Sequence, residues 1–338
     1  MTAEQQLQED LRRRAQSAAE DRWPGAVVTD VAPLTGGASS LTFLATVVGP
    51  GAGEVPVVLK VAPPGLPPVR NRDVLRQGKL MRALHGRPGV VVPEVLFEDA
   101  GAPPEVPPFV AMAFVPGQCV EPVLDERGTL PEGEVRARAF DAVRVLAALH
   151  SLLPAQIGLG DEPVVSAQAE IDRWTRAFET VPEELQGEYL RCARRLSETI
   201  PPALPPVVTH GDYRLGNTLC EDGQVRSVID WEIWSLGDPR IDVTWLVFFT
   251  DEARHPASPS DEPTGMPTAQ ELIDAYTEAR GAPLPDLDWF TALTKYKEAA
   301  ATALLIKRGL RAGALSDSLT RMRPALPQLL DEALSLVG

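Results

Sequence analysis

Cysteine is scarce: Cys119, Cys192 and Cys220 are the three in 338 residues, an odd number, far apart and without a CxxC pair. A disulfide framework or a structural zinc site has nothing to be built from. Histidine numbers four, with no two at metal-ligand spacing. Long apolar runs are missing too. The uncharged apolar run 106–120 is 15 residues and is broken by Pro107, Pro108 and Pro116, whereas crossing a bilayer takes about 20. Basic charge is in deficit, Lys+Arg 32 against Asp+Glu 47, for a net −15 and a sequence pI near 4.8. Such a chain repels nucleic-acid phosphates and anionic lipid, so neither nucleic acid nor membrane is expected as a partner. A local basic pocket for one phosphorylated ligand stays compatible with that balance. The acidic, polar start of the chain is unlike a secretory signal, and free thiols fit a reducing compartment, so a cytoplasmic location is expected.

What is present is an ordinary globular balance, 44% hydrophobic and 23% charged, on a length suited to one large domain or two of about 100–200 residues. The 33 prolines and 26 glycines fall mostly between periodic segments, as loop punctuation. Apolar spacing predicts a leading surface helix over 5–21. Alternating β-branched runs then predict strands over 26–34, 41–48 and 55–61, a helix over 71–84, and strands over 90–97 and 109–114. After Pro116-Gly117 the pattern turns helical: 132–152, 171–178, 184–200, 242–250, 269–280, 286–311 and 324–337. A short strand–loop–strand unit starts at 207–209 and ends near Trp231. Residues 251–267, rich in Pro, Ser, Asp and Glu, read as an exposed loop. The fold class is therefore α+β: a β-rich part over 1–116, with a leading helix over 1–24, joined to a mostly helical part over 117–338.

Reactive side chains are densest in Thr209-His-Gly-Asp-Tyr-Arg-Leu-Gly-Asn217 and in Ile229-Asp-Trp-Glu232. Asp212 and Asn217 stand five apart on a loop between apolar strands, and a hairpin return after it would bring Asp230 beside Asn217. One carboxylate and one amide oxygen are hard ligands that suit Mg²⁺, which keeps waters and borrows oxygens from a bound phosphate chain. Asp212 would remain to orient a hydroxyl nucleophile and accept its proton. A loose phosphoryl-transfer transition state needs this kind of positioning and charge neutralisation.

The spacing His-x-Asp-x-x-x-x-Asn is the protein-kinase catalytic-loop pattern, with Asp230 where the metal-binding Asp of the next motif falls. Together with Gly237-Asp-Pro-Arg-Ile-Asp242, these residues resemble the aminoglycoside phosphotransferase / choline kinase-like family. Within it they are most similar to the kinase-like domain fused to some acyl-CoA dehydrogenases and its free-standing bacterial relatives. The resemblance covers roughly 27–323. It implies a protein-kinase-like bilobal fold, with a five-stranded antiparallel sheet plus helix in the first lobe and a mostly helical second lobe. It implies ATP as phosphoryl donor, with GTP left open, and Mg²⁺. Carried over residue by residue, it makes Asp212 the base, Asn217 and Asp230 the Mg²⁺ ligands, His210 a loop-packing residue and Asp242 the anchor of the loop backbone. Gly36, Gly37, Ser39 and Ser40 would cover the phosphates, and Lys60 would pair with them. Met112, Ala113 and Val115 would form the hinge, where the Ala113 carbonyl and the Val115 amide read adenine.

One departure stands out: Gln77 occupies the position where the family places the glutamate that pairs with the strand lysine. Gln77 can hydrogen-bond Lys60 but cannot neutralise it; either another acid such as Asp73 or Glu94 serves, or the nucleotide itself positions the lysine, or the protein is a nucleotide-binding pseudo-enzyme with weakened catalysis. The acceptor is expected to be a hydroxylated small molecule. The subgroup points to a hydroxyacyl-CoA-type compound, whose phosphates a patch of Lys295, Lys297, Lys307, Arg308 and Arg311 would meet. An aminoglycoside or macrolide is the alternative, with Asp251, Glu252, Asp261 and Glu262 as candidate acidic lining. Arg214 is placed in the catalytic loop either to contact transferred phosphate or an acidic substrate, or to make a salt bridge there. A monomer or homodimer is expected.

Overall fold

The computed structural model describes residues 3–34, 40–51 and 53–338. Contacts divide the chain into a smaller unit, Met1–Gly117 with Arg226–Ile233, and a larger one, Gln118–Val225 with Trp234–Gly338.

The smaller unit opens with α1 (Ala3–Arg22) and continues into β1 (Val27–Leu34), β2 (Leu41–Gly49) and β3 (Gly53–Val61). Helix α2 (Val74–Leu84), β4 (Val95–Asp99) and β5 (Phe109–Ala113) complete it, in one antiparallel sheet ordered β1-β2-β3-β5-β4. The alternation that predicts β3 sorts its side chains. Val57, Leu59 and Val61 are fully buried, while Lys60, opposite Val110 of β5, is not. Leu11, Ala15 and Ala19, at helical spacing, close the core from α1. Helix α2 starts three residues later than its apolar period suggests, because the Asp73 side chain accepts from the Arg76 amide and caps it there. Gly78 lets α2 sit against β5: a Cβ there would lie 2.9 Å from Val110 Cγ2. Strand β4 likewise begins at Val95 rather than at residue 90, since Pro93 has no N–H to give a ladder.

The larger unit is built on α3 (Glu132–Ser151), α4 (Ala167–Phe178) and α5 (Tyr189–Glu198). The short strand β6 (Val207–Thr209) enters the catalytic-loop segment. Strands β7 (Thr218–Glu221) and β8 (Gln224–Val228) are joined by a tight turn at Asp222-Gly223 (φ 51° and 74°). Strand β9 (Ser235–Gly237) pairs antiparallel with β6, and α6 (Arg240–Val247), α7 (Ala269–Arg280) and α8 (Leu287–Ala312) follow. Helices α9 (Asp317–Met322) and α10 (Leu326–Leu336) end the chain. The run foreseen as one helix over 324–337 is preceded by a separate turn of helix, with Pro324 at the junction. Helix α8 threads the core, with Phe290, Tyr296, Ala300 and Ile306 buried against α10, α4 and α5.

Residues 251–267 are a partly buried strap rather than an exposed loop. His255, Ala257, Thr264 and Met266 are buried. Asp251 accepts from both the amide and the hydroxyl of Thr264, and Glu252 accepts from the Ala269 amide. These two acids therefore help to hold the strap in place. Among the described residues no helix is long and apolar enough to cross a membrane.

Candidate active site

In the larger unit the catalytic-loop segment hangs between β6 and β7 and is fixed from beneath by α6. Asp242, in the first turn of α6, is fully buried and accepts from the His210 amide (2.7 Å) and the Gly211 amide (2.8 Å). His150 of α3 adds its Nε2–H at 3.2 Å, its Nδ1 being held by the Tyr276 hydroxyl at 2.7 Å. Burial alone would raise the Asp242 carboxyl; His150 and the His210 amide overcome that and hold it below the ordinary aspartate value. This is the anchoring role expected of Asp242. His210 is buried, and its Nδ1 accepts from the Asp212 amide at 3.2 Å. The proton of a neutral ring then sits on Nε2, consistent with a packing role.

The Asp212 carboxylate is tightly held. Oδ1 accepts from Trp245 Nε1 at 2.6 Å and lies 3.5 Å from Arg214 Nε; Oδ2 accepts from Asn217 Nδ2 at 2.7 Å. Asn217 Nδ2 also reaches the Asp212 carbonyl at 2.8 Å. Both of these bonds use the amide nitrogen, and neither uses the oxygen, the atom a hard cation prefers.

Arg214 makes the loop salt bridge: Nη1 lies 3.3 Å from Glu121 Oε2, which also accepts from the Gly216 amide at 2.9 Å. Gly216 permits this approach, since a Cβ there would fall 2.0 Å from Arg214 Nη1. Burial pushes the Glu121 carboxyl up to about 7 against the pull of Arg214. Burial opposes the charge on Arg214, but Asp212 and Glu121 outweigh it and lift its pKa. Lys297 is also here, not on an exposed cationic patch. It donates to the Gly211 carbonyl and lies 3.5 Å from the Trp245 ring centroid. Residues 295 and 297 stand about 200° apart on a helix, so one helix face could not present both. Lys295 pairs with Glu332 at 2.7 Å, Lys307 donates to the Thr180 carbonyl at 2.5 Å, and Arg308 and Arg311 are exposed.

In the smaller unit Lys60 Nζ lies 2.8 Å from Asp230 Oδ1. Asp230 sits at φ 62°, a left-handed turn held by Trp231, whose Nε1 donates to the Val228 carbonyl at 3.0 Å. The carboxylate serving Lys60 is therefore neither Asp73, which caps α2, nor the exposed Glu94. Gln77 is buried and spends its Nε2 on the Asn71 carbonyl at 3.2 Å, so it is not the lysine's partner either. Gly36, Gly37 and Ser39 lie outside the described residues; Ser40, at the start of β2, is buried. Met112 and Ala113 end β5, with the Ala113 amide on the Glu94 carbonyl at 2.8 Å; Val115 follows, half-buried.

Glu121, Trp245 and the placement of Lys297 were not foreseen. Trp245 follows Asp242 by three, one helical turn, which puts the two on a common side of α6; that was the available signal. Glu121 and Lys297 carry none, because only tertiary structure brings them to the loop. Among the described residues no three His, Cys, Asp or Glu side chains gather into a metal cage.

Residues 30–293 match the model of the phosphotransferase enzyme family. Acyl-CoA dehydrogenase family member 11 of Pongo abelii is 27% identical over 258 residues, 72% of this chain and 32% of that protein. The probable acyl-CoA dehydrogenase IBR3 of Arabidopsis thaliana is 27% identical over 288 residues, 78% of this chain and 34% of that protein. The chain thus spans about a third of the length of these relatives. Among solved structures, a candidate aminoglycoside phosphotransferase of Ralstonia eutropha superposes with TM-score 0.72 at 23% identity, covering 97% of this chain and 98% of that one. The GDP and kanamycin complex of APH(2")-IIIa gives 0.61 at 18% identity, covering 96% and 99%. The fold is that of the kinase-like phosphotransferases, and the chain belongs to the phosphotransferase enzyme family.

Proposed function

We propose that this protein is a small-molecule kinase that transfers the γ-phosphoryl group of ATP to an alcohol, with Asp212 as base. The observation that carries the reading is the Asp212 carboxylate, oriented by Trp245 and Asn217 on a loop pinned through Asp242. Such an acid can align a hydroxyl and take its proton as the oxygen attacks phosphorus. Mg²⁺, with Asn217 and Asp230 as its protein ligands, would neutralise charge on the phosphates. Each residue by itself offers an oxygen of the kind that ion takes. The Asn217 amide nitrogen is committed to Asp212, which leaves its oxygen for a cation. The Asp230 carboxylate is 43% exposed, and its pair with Lys60 is of the screened kind worth about 1 kcal/mol or less, so a divalent ion can displace it. Lys60, Ser40, Gly36, Gly37 and Ser39 are proposed as nucleotide contacts, with Met112, Ala113 and Val115 as the adenine edge. GTP is a second candidate donor, because a relative of the same fold was solved with GDP.

The acceptor is proposed to be a hydroxyacyl-CoA-type metabolite, on the likeness to acyl-CoA dehydrogenase family members. Lys295, Lys297 and Lys307 are engaged within the fold, so the exposed Arg308 and Arg311 are what remains of the proposed phosphate patch on α8. The test is transfer of label from γ-labelled ATP across hydroxyacyl-CoAs, aminoglycosides and macrolides, with and without Mg²⁺. Mg²⁺-dependent labelling of hydroxyacyl-CoAs supports the proposal. Labelling of an antibiotic alone replaces the acceptor. Nucleotide binding with no labelled product would favour a nucleotide-binding regulator.

A further inference from the structure

We propose that Trp245 and Lys297 are positioning residues for the base: together they fix Asp212 so that Oδ2 is the oxygen that receives the acceptor's proton. The proposal rests on the reading of Asp212 as base and concerns two side chains with no place in the catalytic motif. A carboxylate oxygen accepts about two hydrogen bonds. Oδ1 has the Trp245 N–H at 2.6 Å and the Arg214 guanidinium beside it, Nε at 3.5 Å, a cation that makes this the less basic of the two oxygens. Oδ2 has the Asn217 N–H alone among the contacts described, and keeps one acceptor position. The reaction then balances as follows. The hydroxyl proton passes to Oδ2, the oxygen's electron pair forms the new bond to phosphorus, and the bond from phosphorus to the bridging oxygen breaks to release the nucleoside diphosphate. The proton later leaves Asp212 for water.

Lys297 explains how the indole is kept in place. Trp245 and Lys297 are each 5% exposed. An ammonium buried to that degree costs several kcal/mol unless its partners compensate, and here they are the Gly211 carbonyl and the Trp245 ring face. Burial lowers the Lys297 pKa, while Asp212 is the first of the charges that raise it again. One cation thus touches the residue before Asp212 in the chain and the ring that donates to its carboxylate. Backbone and side chain of the base are fixed from one point. A methionine could fill the same volume without the desolvation cost, and it would hold neither group.

The experiment has two arms. In protein labelled with ¹⁵N at the tryptophan indoles, the Trp245 Nε1–H resonance is identified by its absence from Trp245→Phe. A short bond to a carboxylate places it downfield, and it should move upfield in Asp212→Asn. A resonance that ignores Asp212→Asn overturns the proposal. This arm needs no acceptor, so it decides the matter even if the proposed function fails. The second arm uses whichever panel compound the wild type phosphorylates. Trp245→Phe should lower kcat by about 10- to 100-fold with both KM values unchanged, the loss of one hydrogen bond to a charged group. Replacing Trp245 with 3-benzothienylalanine, which has sulfur for N–H in the same outline, should do the same and guards against misfolding. Wild-type kcat in the benzothienyl variant, or a loss confined to KM, overturns the positioning role.

Discussion

Replacing Asp242 by Asn tests whether the catalytic loop is held by one buried charge. The carboxylate accepts two backbone amides and the His150 ring N–H, with no exposure to solvent. The two amide bonds end on different oxygens: His210 on Oδ2 and Gly211 on Oδ1. Asparagine keeps one acceptor oxygen, so at least one amide then meets an NH₂ group. The change removes a charge-assisted bond worth about 1.5–3 kcal/mol and leaves a buried donor unsatisfied at about 1–3 kcal/mol more. A total of roughly 3–5 kcal/mol should lower the thermal midpoint by about 6–15 °C. The assay is calorimetry across pH. Asp242 titrates lower in the folded chain than unfolded, so its contribution is present above the ordinary carboxylate value and is lost as pH falls through the folded one. The deficit of Asp242→Asn should therefore be full at neutral pH and shrink in acid. A midpoint within about 2 °C of wild type at pH 7 would refute the reasoning.

Gln77→Glu places an acid at a buried site whose present hydrogen-bond partner is a carbonyl. It should lower stability by about 1–3 kcal/mol in denaturant unfolding, and a gain would show that Lys60 reaches it. Glu121→Gln should change the pH dependence of stability. The Glu121 carboxyl is raised to about 7 in the folded chain, so wild type loses stability as pH climbs from the unfolded carboxylate value towards about 7. The midpoint of Glu121→Gln relative to wild type should accordingly rise between pH 5 and 8 (roughly the titration window), and a constant offset would contradict the shift. Lys297→Met should leave nucleotide affinity, measured by calorimetric titration, unchanged while lowering kcat less than Trp245→Phe does.

Elements written in local period were legible. Strand β3 shows its buried valines and leucine on alternate positions, and α3 its apolar stripe. Starts were misplaced where a single side chain overrides the period, as Asp73 does at α2 and Pro93 before β4. The strap over 251–267 looked exposed because its composition is polar. Its burial comes from His255 stacked on Phe249 with ring centroids 4.9 Å apart, a tertiary contact. The loop over 210–217 announced itself because its groups are close in sequence. What surrounds Asp212 did not: Glu121, Trp245 and Lys297 arrive from a loop before α3, from α6 and from α8 respectively. The acid paired with Lys60 is hidden from the sequence for the same reason, since Asp230 stands 170 residues away.

The central claim is that Asp212 takes the acceptor's proton during phosphoryl transfer from ATP. Its most direct test is single-turnover transfer of the γ-phosphoryl group to the acceptor by wild type and Asp212→Asn, with ATP binding measured in parallel. The account predicts unaltered ATP binding and a transfer rate lower by roughly 10²- to 10⁴-fold. Transfer at the wild-type rate by Asp212→Asn would contradict it.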